Sequence, residues 1–179
     1  FSAYCESHTS QVPFHAVARL LRAATGVEHL DPEAARTRLR ELDPDADSDD
    51  RMLLEDLVGV ADPAAEFPKI DPDARRRRLT ALVNTFSLTR ESPVVYVIED
   101  VHWIDGVSES MLADFFSVIP QTRSLVVVTY RPEYRGLLSQ VQGGQTLSLS
   151  PLSNSESSTL VMDLVGRNSS VAGIATLIV

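Results

Sequence analysis

The sequence has very little cysteine, no excess of positive charge and no long hydrophobic run. A single cysteine, Cys5, excludes an intramolecular disulfide and a cysteine-based zinc cluster, which fits a reducing cytoplasm. No segment approaches the roughly 18 apolar residues of a membrane span, and no cationic stretch followed by an apolar one opens the sequence. The net charge of −9 argues against nucleic-acid binding by this segment. What remains is the expectation of a cytoplasmic domain that contacts neither membrane nor nucleic acid.

Lysine is nearly absent as well. The only one, Lys69, lies in FPKID without a neighbouring glycine. A phosphate-cradling loop needs the pattern GxxxxGK[ST], whose backbone N–H groups and lysine grip phosphates. The sequence therefore contains no Walker A motif, and any phosphate binding must come from other features.

The chain is 44% hydrophobic over 179 residues, which suits an α/β domain with a real core. Residues 13–89 predict a mainly helical segment, because apolar residues recur at helical spacing and aspartate–proline pairs supply N-caps. The five aspartates between Asp43 and Asp50 predict a solvated loop. Helices are expected over 13–26, from Asp31 to about Leu42, over Met52–Val58 and from Asp71 through Phe86.

Residues 93–179 have a different character. The runs Pro93–Ile98 and Leu125–Val128 are apolar and β-branched, typical of strands buried on both faces of a sheet. A helical pattern over 107–119 separates them, which predicts a βαβ unit with parallel strands. Phe1–Cys5 is a further short candidate strand. A later strand is expected at Thr146–Leu149, followed by a helix with a Ser153/Glu156 capping box.

Chemistry is expected where the first of these buried strands ends. Glu99 and Asp100 follow it directly, at the edge of an open α/β sheet where ligands bind. Adjacent carboxylates leaving a strand point in different directions, so one can hold a Mg²⁺-bound water while the other orients or deprotonates an attacking water. This is the logic of a Walker B motif. The alternative is that both acids only end the strand or cap the next helix.

The residues around this pair resemble a known family. The stretches IEDVHWIDGVSESML, PQTRSLVVVTYRPEY, CESHTSQVPFHAVARLLRAATG and PKIDPDARRRRL are similar to the signal-transduction ATPases with numerous domains, regulatory relatives of AAA proteins. The similarity is strongest to the ATPase modules of actinobacterial multidomain adenylate cyclases and LuxR-type transcriptional regulators. It implies a P-loop NTPase-like parallel sheet flanked by helices, with a helical insertion, that binds ATP and Mg²⁺ and switches a linked effector domain.

The resemblance also implies residue roles. Glu99 and Asp100 are the expected catalytic residues and Mg²⁺ ligands, and Arg131 the expected sensor of the terminal phosphate. Guanidinium suits that task because it is permanently charged and donates two parallel hydrogen bonds. Thr129 and His102 are the further expected nucleotide contacts. The alternative for Arg131 is an ion pair with Glu133 or an acid of the neighbouring strand.

Other prominent residues favour structural roles. Trp103 is expected to pack and fix the loop after the acids, and Cys5 to be a small buried hydrophobe. The arginines 75–78 are expected to form a solvated face against the acidic loops.

The resemblance places the Walker A loop just upstream of Phe1 and the element that closes the nucleotide pocket beyond Val179. We therefore expect an incomplete domain: an ATPase in the full-length protein, with binding but no hydrolysis as an alternative, and an isolated chain that binds ATP weakly or not at all. A sheet lacking its P-loop strand also predicts self-association.

Two other functions stay open. One is a degenerate, ATPase-like scaffold that binds other proteins or domains of the same polypeptide. The other is a Mg²⁺-dependent hydrolase that uses Glu99, Asp100 and Asp105 without a nucleotide.

Overall fold

The computed structural model describes residues 1–165, which fall into two compact units, one of residues 1–144 and one that begins at Gln145. The first unit contains strands β1 (Ser2–Tyr4), β2 (Val94–Glu99) and β3 (Ser124–Val128) and helices α1 (His15–Thr25), α2 (Pro32–Leu42), α3 (Ser48–Leu57), α4 (Pro72–Thr89) and α5 (Gly106–Val118). Short 3₁₀ turns cover Ser7–Thr9, Val101–Trp103, Ile119–Gln121 and Leu137–Ser139. The second unit contains α6 (Asn154–Val165). No helix among residues 1–165 is both long and apolar enough to cross a membrane.

Side-chain caps start α2 and α4 where the sequence predicts them. Asp31 accepts hydrogen bonds from the backbone N–H groups of Glu33 and Ala34, and Asp71 does the same at the start of α4. Gly26 ends α1 with φ of 76°, the left-handed conformation that favours glycine. In the second unit, Ser153 and Glu156 form the expected capping box, and hydrogen bonds from Ser153 lower the pKa of Glu156.

The three strands form a parallel sheet in the order β1–β2–β3. Ala3 pairs with Ile98, and Ile98 pairs with Val128, so these side chains share one face. Helices α1 and α5 pack on that face, where Phe115 of α5 meets Tyr96 edge-on at 5.3 Å between ring centroids. Helix α4 packs against α5, and α3 against α4. The α/β fold with a parallel sheet flanked by helices is thus confirmed.

Burial of both sheet faces is not observed. Tyr4, Val95, Leu125 and Val127 lie on the face opposite Ile98, which we call the open face, and all four are exposed, Leu125 at 58%. The expectation came from the apolar character of the strands, and the described helices of the first unit supply only one covering layer. A continuous apolar run in a strand indicates that both faces of the sheet are apolar, but it does not show that helices cover both faces.

The expected strand at Thr146–Leu149 is wrong. These residues have no regular structure, and Leu149 is 92% exposed. A strand requires a neighbour for its backbone hydrogen bonds, and among the described residues none pairs with this segment. The helix beginning at Asn154 is observed, whereas residues 166–179, where any further element of this region was expected, lie outside the described part.

The loop expected over Asp43–Asp50 is also shorter than predicted. Helix α3 begins at Ser48, because Asp47 caps it by accepting a hydrogen bond from Asp49 N–H at 2.9 Å. Acidic residues in a first turn are favoured by the helix dipole. Arg78 of α4 contacts three aspartates of this region, at positions 47, 49 and 50, which raises the pKa of its guanidinium. The expected contact of the arginine face with the acidic loops is confirmed there.

Candidate functional site

The carboxyl ends of the three parallel strands meet at one edge of the sheet. Glu99 and Asp100 end β2, and Thr129 and Arg131 follow β3 at the same edge. The register aligns Ile98 with Val128, so the residues just after each strand are neighbours. The acids and the arginine therefore emerge from a common edge, as the sequence predicts. Their chemical roles stay predictions.

Asp100 occupies a turn with unusual backbone geometry. Its φ of 57° and ψ of 41° are left-handed, one of only two positive-φ non-glycine positions among the described residues. Such conformations are rare for residues with a side chain and concentrate at functional sites. The carboxylate is 60% exposed, whereas Glu99 is half-buried. Glu99 belongs to the opposite face from Ile98 by strand alternation, so the two carboxylates leave the strand in different directions.

Backbone contacts from both neighbouring strands hold this turn. On one side, Cys5 N–H donates to the carbonyl of Glu99 at 2.9 Å. On the other, Thr129 N–H donates to Ile98 O, Val101 N–H donates to Thr129 O, and Asp100 N–H donates to Thr129 Oγ1, each at 3.0 Å. The acids are therefore presented by a turn fixed at both sides.

His102 lies beside Asp100 and is nearly buried. Its side chain is 11% exposed, and its Nδ1 is 3.7 Å from Asp100 Oδ1, too long for a hydrogen bond. Neither ring nitrogen has a hydrogen-bond partner within the described residues. Buried polar atoms without partners are costly and call for an explanation, such as a ligand or an ion that satisfies them. Trp103 packs on the imidazole with ring centroids 5.2 Å apart, which supports its expected packing role.

Arg131 is exposed and makes no ion pair with any residue in the part of the chain that the structure describes, Glu133 included. The alternative of a structural pair is thus not observed in residues 1–165. Its carbonyl accepts a hydrogen bond from Tyr134 N–H at 3.0 Å, which closes a turn after β3.

The carboxylates of Glu99 and Asp100 fit Mg²⁺ only if other ligands complete its coordination. Carboxylate oxygens are the hard ligands that Mg²⁺ prefers, and it is normally held by one or two of them together with phosphate oxygens and water. No group of three His, Cys, Asp or Glu residues in residues 1–165 could hold a metal ion. The two acids therefore suit an ion that a phosphorylated ligand helps to coordinate.

Asp105 does not join the two acids, which removes the nucleotide-free hydrolase. It is 4% exposed, and its carboxylate accepts hydrogen bonds from the N–H groups of Phe14 at 2.9 Å, Ala16 at 3.5 Å and Ser108 at 2.9 Å. It caps α5 and α1 simultaneously. The sequence signal for the α5 cap was its position before the helical pattern; the contact with α1 spans about 90 residues and has no local signature.

A second long-range contact orders the loop that carries Arg131. Tyr134 O–H donates to the Glu109 carboxylate on α5, and Leu137 N–H donates to the same oxygen at 2.9 Å. Burial, followed by this carboxylate, raises the pKa of Tyr134. A Cβ at Gly136 would overlap the ends of the Glu109 and Tyr134 side chains, so any larger residue there requires these two side chains to shift. The sequence analysis did not identify Tyr134 or Glu109.

Cys5 takes no part in chemistry at this edge. It is buried, and desolvation, followed by the nearby charges of Asp105 and Asp100, raises the pKa of its thiol to about 12. A thiol that stays protonated at neutral pH is a poor nucleophile and a poor metal ligand.

Comparisons with known proteins agree with this geometry. The family model described as the AAA ATPase domain matches residues 1–128. An uncharacterized protein of Rhizobium meliloti (strain 1021) is 36% identical over 92 residues, which are 51% of this chain and 9% of that protein. The chain therefore spans less than a tenth of that curated relative. No solved structure matches this chain.

Proposed function

Because this chain belongs to the AAA ATPase domain family, we propose that it is the acidic-motif and sensor half of an ATP- and Mg²⁺-dependent regulatory module. Membership implies nucleotide binding or hydrolysis in general. The finer proposal is that nucleotide state in a larger signalling polypeptide, a cyclase or a transcriptional regulator, switches an attached effector domain. None of these 179 residues forms a GxxxxGK[ST] loop.

The observation that carries the proposal is the common edge at which Glu99, Asp100 and Arg131 emerge around a left-handed turn. Glu99 and Asp100 are the residues that would hold a Mg²⁺ ion, which would supply positive charge beside the phosphates. The Asp100 carboxylate, the more exposed of the two, would hold a metal-bound water. Glu99 would accept a proton from the attacking water, and Arg131 would donate hydrogen bonds to the terminal phosphate.

Thr129 and His102 would complete the site. The Thr129 hydroxyl accepts from Asp100 N–H, so Thr129, which the resemblance implies as a nucleotide contact, would act on the nucleotide through Asp100 rather than by touching it. The unpartnered imidazole of His102 would gain a hydrogen bond from the nucleotide or its water shell.

Binding of a fluorescent ATP analogue to the natural polypeptide, with Mg²⁺ and with EDTA, tests these roles. Asp100→Asn should remove most of the Mg²⁺-dependent gain in affinity. Glu99→Gln should bind normally but turn over at least about 100-fold more slowly, the usual scale of a lost general base. Glu33→Gln, an exposed acid on α2, is the control. Wild-type binding and turnover in both site variants would refute the assignment.

A scaffold without nucleotide chemistry is the second candidate, because the open face is apolar and exposed. We propose that the open face also drives self-association of the isolated chain. Light scattering over a range of concentrations tests this: a monomer at every concentration would remove the self-association, and ATP binding by the natural polypeptide would remove the purely structural role.

A further inference from the structure

Thr129 makes three hydrogen bonds to the turn that carries Asp100. Its N–H, carbonyl and hydroxyl bond to Ile98, Val101 and Asp100 respectively, each at 3.0 Å. Two of these continue the pairing of β3 with β2. The third, from the side chain, is the one that substitution can remove.

The side-chain bond falls on one of the two described non-glycine residues with positive φ. L-residues with left-handed φ and ψ need their surroundings to hold them there. Asp100 N–H is satisfied by Thr129 Oγ1, and threonine suits this because its branched Cβ leaves few χ1 rotamers. A hydroxyl at this position therefore ties the conformation of the acid to the end of β3.

We propose that Thr129 is a positioning residue that holds the Asp100 turn in its left-handed conformation and so sets the direction of the Asp100 carboxylate. The importance of that direction for Mg²⁺ rests on the proposed function. The conformational part does not. Since Arg131 lies two residues after Thr129, beyond the end of β3, Thr129 also links the position of the acid to the segment that carries the arginine.

Two substitutions separate the hydroxyl from the rest of the residue. Thr129→Val keeps the size and the branched Cβ but loses the acceptor, whereas Thr129→Ser keeps the acceptor. Thr122→Val is the matched control, because the Thr122 hydroxyl bonds to the Ile119 carbonyl just before the amino end of the same strand. Thr129→Ala is the second hydroxyl-free variant and does not depend on how valine packs.

The first readout is amide hydrogen exchange at Asp100 in this chain, followed by NMR. Thr129→Val and Thr129→Ala should speed exchange roughly fivefold, the scale of one exposed hydrogen bond, and Thr129→Ser should restore it. The control should leave it unchanged. Equal exchange in Thr129→Val, Thr129→Ala and the control would overturn the proposal.

The second readout is nucleotide binding by the natural polypeptide. Thr129→Val should lower the apparent affinity for Mg²⁺ roughly fivefold while ATP affinity in EDTA stays within twofold, and Thr129→Ser should rescue it. A loss of ATP affinity in EDTA would mean that Thr129 contacts the nucleotide directly, which overturns the positioning role. If the wild type shows no Mg²⁺-dependent binding, the proposed function fails, and amide exchange alone decides whether Thr129 holds the turn.

Discussion

Replacing Asp105 by alanine should destabilise the protein far more than loss of an ordinary helix cap. The side chain is buried at the point where α5 begins and where α1 approaches it. Its carboxylate serves donors from two helices, so the substitution leaves orphaned N–H groups on both. The comparison is Asp31→Ala, which removes one exposed cap from α2.

The magnitude follows from the contacts. Each good cap is worth about 1 kcal/mol, and Asp105 supplies two at 2.9 Å, to Phe14 and Ser108. Leaving buried donors unsatisfied adds about 1–3 kcal/mol in total, since Ala16 N–H at 3.5 Å contributes little. We expect a loss of about 3–5 kcal/mol for Asp105→Ala against about 1 kcal/mol for Asp31→Ala.

Urea unfolding followed by far-UV circular dichroism measures both. With a slope of about 2 kcal/mol/M, Asp105→Ala should lower the midpoint by about 1.5–2.5 M and Asp31→Ala by about 0.5 M. Asp105→Asn retains one acceptor oxygen and should fall between them. Equal midpoints for Asp105→Ala and Asp31→Ala would refute the double cap.

Three further outcomes are expected. Gly136→Ala should lower the free energy of unfolding by about 1–3 kcal/mol, measured by thermal unfolding, because the added Cβ overlaps the contact between the Glu109 carboxylate and the Tyr134 hydroxyl. Gly106→Ala is the control and should be neutral or slightly stabilising, because a Cβ there meets nothing within 4 Å. Equal losses of stability in the two variants would contradict the predicted overlap at Gly136. Cys5 should resist thiol reagents at pH 8 until the protein unfolds, and rapid labelling of the native protein would disprove its burial. The free energy of unfolding should decline as pH rises from about 9 towards 12, because in that range the Cys5 thiol ionises in the unfolded state but not in the folded state. Leu125→Lys and Val127→Lys should reduce light scattering at high concentration if the open face drives association, and unchanged scattering would exclude that face.

Local signals in the sequence predicted most elements. Aspartate–proline pairs fixed the starts of α2 and α4, since a cap acts within its own first turn. The apolar runs around a single helix required a right-handed parallel crossover, which brings the ends of β2 and β3 together. That is why the sequence alone assigns Glu99, Asp100 and Arg131 to one edge.

What the sequence by itself determined was most of the helices, the parallel pair of β2 and β3 and the edge that carries the acids, because each depends on nearest-neighbour chemistry or chirality. Only the tertiary structure decided that one sheet face stays open, that no strand within residues 1–165 pairs with 146–149, and that the side chains of Asp105 and Thr129 accept hydrogen bonds from backbone N–H groups. Those outcomes depend on which groups meet across 29 to 91 residues of chain. Pairings at such separations leave no periodic pattern, since they arise when helices and strands pack.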